Sequence, residues 1–314
     1  MPTPRLTRFL AGFAVSLLVL APTASLRAAP SAEVTVVAEV PIVFEARGQK
    51  LPVPLVPGRI QEQEGLLLID TGSSHNALTR TFADACGLVR NPAGTGRDHA
   101  GDAVKTELAS ATEWRLGTFT RPVEETLVVP GPPPFAPLGI VGFLSPQRFF
   151  AGSTVVLDFP GGRLFALSGS SAAIEHWLAE RYRGAARATL PRVAGPHADK
   201  LYVTAQLAGG GSAVAEIDTG GTTTEFAESL LPPAEAAPET ATSTAVGGRT
   251  RTARVVPGQT LALGSLDFGP TKVKARPAGG SPEVLVGIDL LRLTVLVIPA
   301  EPAAPLVVLR SGGR

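Results

Sequence analysis

Alternating apolar and polar positions mark this chain out as a succession of strands. Val34 to Phe44 alternates and is rich in Val and Ile, which predicts a half-buried strand. Leu51 to Val56 and Gly65 to Ile69 read as a hairpin pair turned at Gly58 and ending at Asp70. Thr154 to Phe159 and Arg163 to Leu167 read as a second hairpin around Pro160-Gly161-Gly162. Leu201 to Leu207 alternates, and Gly209-Gly210-Gly211 turns it into a run that ends at Asp218. Pro305 to Leu309 predicts a last strand, pairing either between halves of the chain or with the N-terminal strand. One longer stretch keeps a helical period. Ile174, Trp177, Leu178, Arg181 and Tyr182 fall at i, i+3, i+4, i+7 and i+8, with Ser170 or Ser171 as cap. Phe82 to Leu88 reads as a short helix ending at Gly87. Leu231 to Thr244, rich in Pro, Ala and Glu, reads as a flexible loop.

The strand pattern occurs twice. Leu66-Leu67-Leu68-Ile69 runs into Asp70-Thr71-Gly72-Ser73, and Val214-Ala215-Glu216-Ile217 runs into Asp218-Thr219-Gly220-Gly221, 148 residues later. A single Asp-Thr-Gly is an ordinary turn, so the surrounding landmarks decide. Each copy is followed by a Gly-rich stretch, Gly94 to Gly101 and Gly247-Gly248. Then comes an apolar run with Leu-Gly, at Leu116-Gly117 and Leu263-Gly264. An apolar-apolar-Gly triplet follows, at Ile140-Val141-Gly142 and Leu285-Val286-Gly287, and after it a β-rich run, Thr154 to Phe159 and Leu293 to Ile298. Four landmarks in one order describe an internal duplication. The expected organisation is a lobe over 34–167, a linker with an amphipathic helix over 168–200, and a second lobe over 201–309.

Composition sharpens the class. The chain has 314 residues, 44% of them apolar, with 34 Gly and 29 Pro, which suits a turn-rich all-β protein with two cores. Lys plus Arg is 28 against 27 for Asp plus Glu, a balance that gives no footprint for nucleic acid or an anionic surface. The single Cys86 cannot close an intrachain disulfide, and it reads as a small buried residue. His75, His99, His176 and His197 show no metal-binding spacing, so neither metal nor cofactor is expected. Arg5 and Arg8 precede an apolar run from Phe9 to Ala21. That is a Sec-type signal, set at 1–29, too short to span a bilayer comfortably. It predicts a secreted or periplasmic protein with no stable membrane insertion after signal removal, an uncleaved N-terminal anchor being the alternative.

The paired Asp-Thr-Gly loops with their apolar-apolar-Gly segments resemble the aspartic peptidases, in particular the retropepsin-like ones, over roughly Leu51 to Val308. The resemblance implies two tandem acid-protease β-barrel lobes on one chain, joined by a short linker helix, and a site where the lobes meet. Two nearby carboxylates cannot both ionise easily, so the pair shares a proton. One activates a water and the other donates a hydrogen bond to the scissile carbonyl. Asp70 and Asp218 are the expected catalytic pair. Gly72 and Gly220 permit the tight turns. By resemblance Thr71 and Thr219 bond across to the opposite loop, and Ser73 bonds the outer oxygen of Asp70. The second loop departs from the pepsin-like pattern with Gly221. The Gly-rich stretches match the family's flaps over substrate, which points to His99, Ala100, Gly101, Gly247 and Gly248, although the Tyr of pepsin-like flaps is absent.

The resulting expectation is a monomeric endopeptidase acting on polypeptide substrate, its two lobes an intrachain pseudo-dimer. Its rival is an inactive peptide-binding pseudoprotease with the same cleft, which Gly221 and the Tyr-less flap favour. A third arrangement builds the site between two chains. The mass of the exported protein tests the N-terminal reading: it should begin between Ser25 and Ala32, and a retained Met1 would show an anchor instead.

Overall fold

The computed structural model describes residues 33–97, 103–110, 112–234, 238–244, 246, 248–277 and 282–310. The signal expected at 1–29 lies outside these. The described chain is built on three sheets of ten, seven and six strands, with short helices at their margins.

The ten-stranded sheet holds the first Asp-Thr-Gly loop. Gln49–Ile60 and Gln63–Ile69 pair antiparallel, with Gly58 facing Gly65. The turn is therefore at Gln61-Glu62 and not at Gly58. Gly58 lies inside the strand, where a Cβ would sit 2.9 Å from Leu116 Cδ2. Gln63–Ile69 then runs parallel to Ile140–Leu144, which pairs antiparallel with Ala77–Thr79. The seven-stranded sheet repeats this layout. Ser212–Ile217 is parallel to Val284–Val286, which is antiparallel to Glu225–Ala227. A parallel neighbour covers each incoming strand, which suits their nearly unbroken apolar runs.

The six-stranded sheet joins the halves. Its order is Thr35–Pro41, Arg163–Ser168, Thr154–Asp158, Val295–Ile298, Leu306–Arg310, Ala186–Leu190. The first three strands belong to the first half and the last three to the second, so the order mirrors about its centre. The C-terminal strand thus pairs within this shared sheet. The stretch expected as linker, 168–200, contains one of its strands, Ala186–Leu190. The helix Ser171–Arg181 begins at Ser170, whose Oγ accepts from Ala173 N at 3.2 Å. It buries Ile174 and Leu178 on one face of the sheet, against Val156, Phe165, Val297 and Val307. The other face belongs to a core that runs through both halves, from Ile69 and Leu144 to Ile217 and Val286.

Three further expectations change. Leu231 to Thr244 is not all loop, because Thr240–Thr244 pairs antiparallel with the start of Thr250–Leu263. Cys86 is only half-buried, its Sγ 3.9 Å from Ile60 O. The Gly triplets are not equivalent in space. Asp70 N donates to Leu144 O and Asp218 N to Val286 O, so the partner of Gly287 is Ser145, and Gly142 matches Val284. Side chains confirm this register: Ser145 N donates to Asn76 Oδ1 at 3.0 Å, and Gly287 N to Thr224 Oγ1 at 3.1 Å.

Gly142 keeps its own steric reason, since a Cβ there would lie 2.1 Å from Ala77 O and 3.0 Å from Leu78 Cα. Backbone cannot yield as a side chain does. Gly142→Ala should therefore destabilise the protein by about 3 kcal/mol or more in denaturant unfolding. Gly211→Ala, at a site with nothing within 4 Å, should stay within about 1 kcal/mol of wild type.

Candidate active site

The two Asp-Thr-Gly loops meet tip to tip. Thr71 Oγ1 donates to Ile217 O at 2.7 Å and accepts from Thr219 N at 3.0 Å. Thr219 Oγ1 donates to Ile69 O at 2.7 Å and accepts from Thr71 N at 3.0 Å. Both threonines have no exposed surface. Each hydroxyl is thus used as donor and acceptor across the loop junction.

This lock sets the glycines against the opposite carboxylates. A Cβ on Gly72 would lie 2.6 Å from Asp218 Cγ, and one on Gly220 would lie 2.7 Å from Asp70 Cγ. Any side chain there would push the aspartates apart. Asp70 and Asp218 share a side-chain hydrogen bond. Burial, and then the neighbouring Asp218 charge, hold the Asp70 carboxyl well above the usual carboxylate range, while Lys200 opposes them. Asp218 sits differently. Its Oδ1 accepts from Gly220 N at 2.9 Å and Gly221 N at 3.1 Å. Asp70 receives no such pair of amides among the described residues. The two acids are therefore unequally surrounded.

The supporting residues are placed as follows. Thr71, Gly72, Thr219 and Gly220 all stand at the junction. Ser73 does not bond the Asp70 carboxylate. Its Oγ donates to His75 O at 2.7 Å, because the loop turns the hydroxyl back on its own chain. At Gly221, where the hydroxyl is missing, a Cβ would lie 2.8 Å from Leu285 Cδ2, so a side chain there requires that leucine to shift. Gln147 Nε2 donates to Thr71 O, and Ser145 Oγ to Ser73 O, pinning the first loop from below. Asp289 accepts from Thr224 Oγ1 at 2.8 Å, away from the pair.

Each Gly-rich stretch belongs to a hairpin. Arg90–Arg97 pairs with Ala103–Ala109, and its tip, with His99, Ala100 and Gly101, lies outside the described residues. Thr240–Thr244 pairs with the strand from Thr250. At that tip Gly248 is exposed with φ +81°, Gly247 lies outside the described residues, and Val246 packs on the apolar face of the first lobe.

Sequence reading passed over Lys200 and Glu216. Lys200 Nζ donates to Glu216 Oε1 at 2.8 Å, and Glu216 is 3% exposed. Burial pushes the Glu216 carboxyl up and Lys200 pulls it back. The signal was available, since Glu216 interrupts an apolar run two residues before Asp218.

A raised native pKa ties stability to pH. Asp70 binds its proton more tightly folded than unfolded, so stability falls as pH rises from near 4 through the native value. Asp70→Asn removes that dependence. Its melting temperature should exceed that of wild type at pH 7, and the two should converge near pH 3.

Residues 56–143 match the family described as Aspartyl protease. No curated protein matches the chain. Among solved structures, the crystal structure of aspartic proteinase from Irpex lacteus is similar with a TM-score of 0.48 and 14% identity, over 88% of this chain and 97% of that chain. The family match covers the part of the first lobe that carries its Asp-Thr-Gly loop.

Proposed function

We propose that this chain is a secreted or periplasmic aspartic endopeptidase that works as a monomer through Asp70 and Asp218. The observation that carries the reading is the hydrogen-bonded contact of the two carboxylates at the loop junction. The match of residues 56–143 to the family described as Aspartyl protease supports a peptidase-type function. The one-chain pair, export and the monomeric state are our additions.

The chemistry follows from the unequal surroundings of the two acids. Asp218, whose Oδ1 accepts from two amides, takes a proton from a water set between the pair. Asp70, protonated, donates to the scissile carbonyl oxygen as the water oxygen bonds to carbon. Collapse of the tetrahedral intermediate breaks the C–N bond, and the proton taken up by Asp218 passes to the leaving amine. The Asp70 proton has meanwhile moved to the former carbonyl oxygen, and its return restores the starting state. The step needs the two acids held close, and the reciprocal threonine bonds hold the loops that carry them.

Cleavage of casein from about pH 3 to pH 7 tests this, with Asp70→Asn and Asp218→Asn beside wild type. Wild type should cut, and each variant should lose activity by at least about a thousandfold. Loss in one variant alone would separate the two aspartates into different sites. A folded wild type that cuts at no pH would favour the peptide-binding reading.

A further inference from the structure

The second lobe carries an ion pair where the first carries apolar side chains. Tyr202 faces Glu216 across their ladder, and Ile217 N donates to Leu201 O at 2.9 Å. That register brings Lys200 level with Asp218. In the first lobe Leu55 faces Leu68, and the same count brings Val53 level with Asp70. Val53, Leu55 and Leu68 belong to one apolar cluster. Lys200 thus stands where the first lobe has Val53, and Glu216 where it has Leu68.

The pair is built into the frame. Lys200 Nζ donates to Glu216 Oε1 at 2.8 Å, and Glu216 is 3% exposed. Lys200 N donates to His197 O at 3.2 Å. Glu216 lies between two strands, level with Tyr202 on one and Leu285 on the other. A buried ion pair gives little net stability, because the cost of desolvating two charges offsets their attraction. Apolar side chains serve the first lobe in the same places. Packing therefore gives no account of this pair, and its position beside the two aspartates does.

Lys200 and Glu216 act on Asp70 across the junction in opposite senses. Burial and then the Asp218 charge push the Asp70 carboxyl up, the Lys200 charge draws it down, and the Glu216 charge pushes it up more weakly. Other titratable groups stand close by. His197 and Asp199 lie in the turn before Lys200. Arg276 acts on Glu216 while paired with Glu225 at 3.6 Å, and Lys274 faces Glu225 in register. Burial and then the Glu216 charge push the Tyr202 hydroxyl up, so it stays neutral.

We infer that Lys200 and Glu216 are positioning residues for the reaction, Lys200 as a counter-charge and Glu216 as its tether, and that together they set the pH range over which Asp70 and Asp218 share one proton. The inference rests on the peptidase reading above for the role of the two aspartates. Lys200 favours release of the shared proton, so it holds the working range lower than two buried carboxyls reach alone. Glu216 fixes the ammonium in place and limits its pull.

Two readouts on Lys200→Met and Glu216→Gln test this. One is the pH profile of kcat/KM on a casein-derived peptide, which reports the free enzyme. The other is the NMR shift of the Asp70 carboxyl carbon, assigned by its loss in Asp70→Asn, which follows the proton of the pair without turnover. Lys200→Met should move the alkaline limb and the carboxyl midpoint up by about one pH unit. The direction holds after Glu216 takes up a proton, because Lys200 acts on Asp70 more strongly than Glu216 does. Glu216→Gln keeps an oxygen for Lys200 and should move both down by about half a unit. Lys200→Arg keeps the charge and should keep the wild-type midpoint. A midpoint that stays put in Lys200→Met or in Glu216→Gln, or that moves the same way in both, overturns the inference. If Lys200→Met fails to fold, the sign of the Glu216→Gln shift decides alone. Wild-type cleavage without these shifts leaves the peptidase standing. Opposite shifts in a protein that cuts no substrate keep the control of the shared proton and overturn the peptidase reading alone.

Discussion

Everything at the centre of this molecule depends on two threonine hydroxyls. Thr71 and Thr219 each reach into the opposite loop, where each hydroxyl donates to a carbonyl and accepts from an amide. A buried hydrogen bond contributes only about 1 kcal/mol net, but an unmade one leaves a desolvated donor or acceptor costing about 1–3 kcal/mol. Four such bonds made by two fully buried threonines therefore leave the junction one low-energy arrangement. That arrangement sets each glycine against the other loop's carboxylate. Two acids are kept in contact although their charges oppose it.

The shared sheet makes such precision affordable. Its strands mirror about the contact between Thr154–Asp158 and Val295–Ile298. One apolar core continues through both halves. The loops are thus carried on a frame that cannot open at the junction without exposing core. Within that frame the halves have diverged. Asp218 gains two amide donors that Asp70 lacks, and Glu216 with Lys200 stands where the first lobe has apolar residues. Duplication supplies the geometry, and the divergence gives the two acids different surroundings.

Legibility followed the physical range of each signal. Strand alternation, the helix from Ser171 and the twin Asp-Thr-Gly loops are local, so they could be read directly. The apolar-apolar-Gly triplets misled for a different reason. Gly142 and Gly287 are both demanded by close backbone contacts, but with different partners, Ala77 and Thr223. Sequence similarity could not reveal that three residues separate their places in the repeat. Thr240–Thr244 looked like loop because its small polar residues carry no apolar stripe, and it is a strand through pairing alone. Ser73 was expected on the Asp70 carboxylate. A hydroxyl one bond from the backbone has several acceptors in reach, and only the turn at His75 selects among them.

The sequence by itself determined that the chain is all-β, that it is duplicated, and which two carboxylates stand at the tips of equivalent turns. These follow from periodicity and from residues whose backbone preferences are strong. Only the tertiary structure decided that Ala186–Leu190 completes a shared sheet and that Asp218 Oδ1, unlike Asp70, accepts from two loop amides. It also decided that Lys200 and Glu216 form a buried pair beside the junction. Each of these depends on partners far apart in the chain, whose burial and charge exist only once the halves have met.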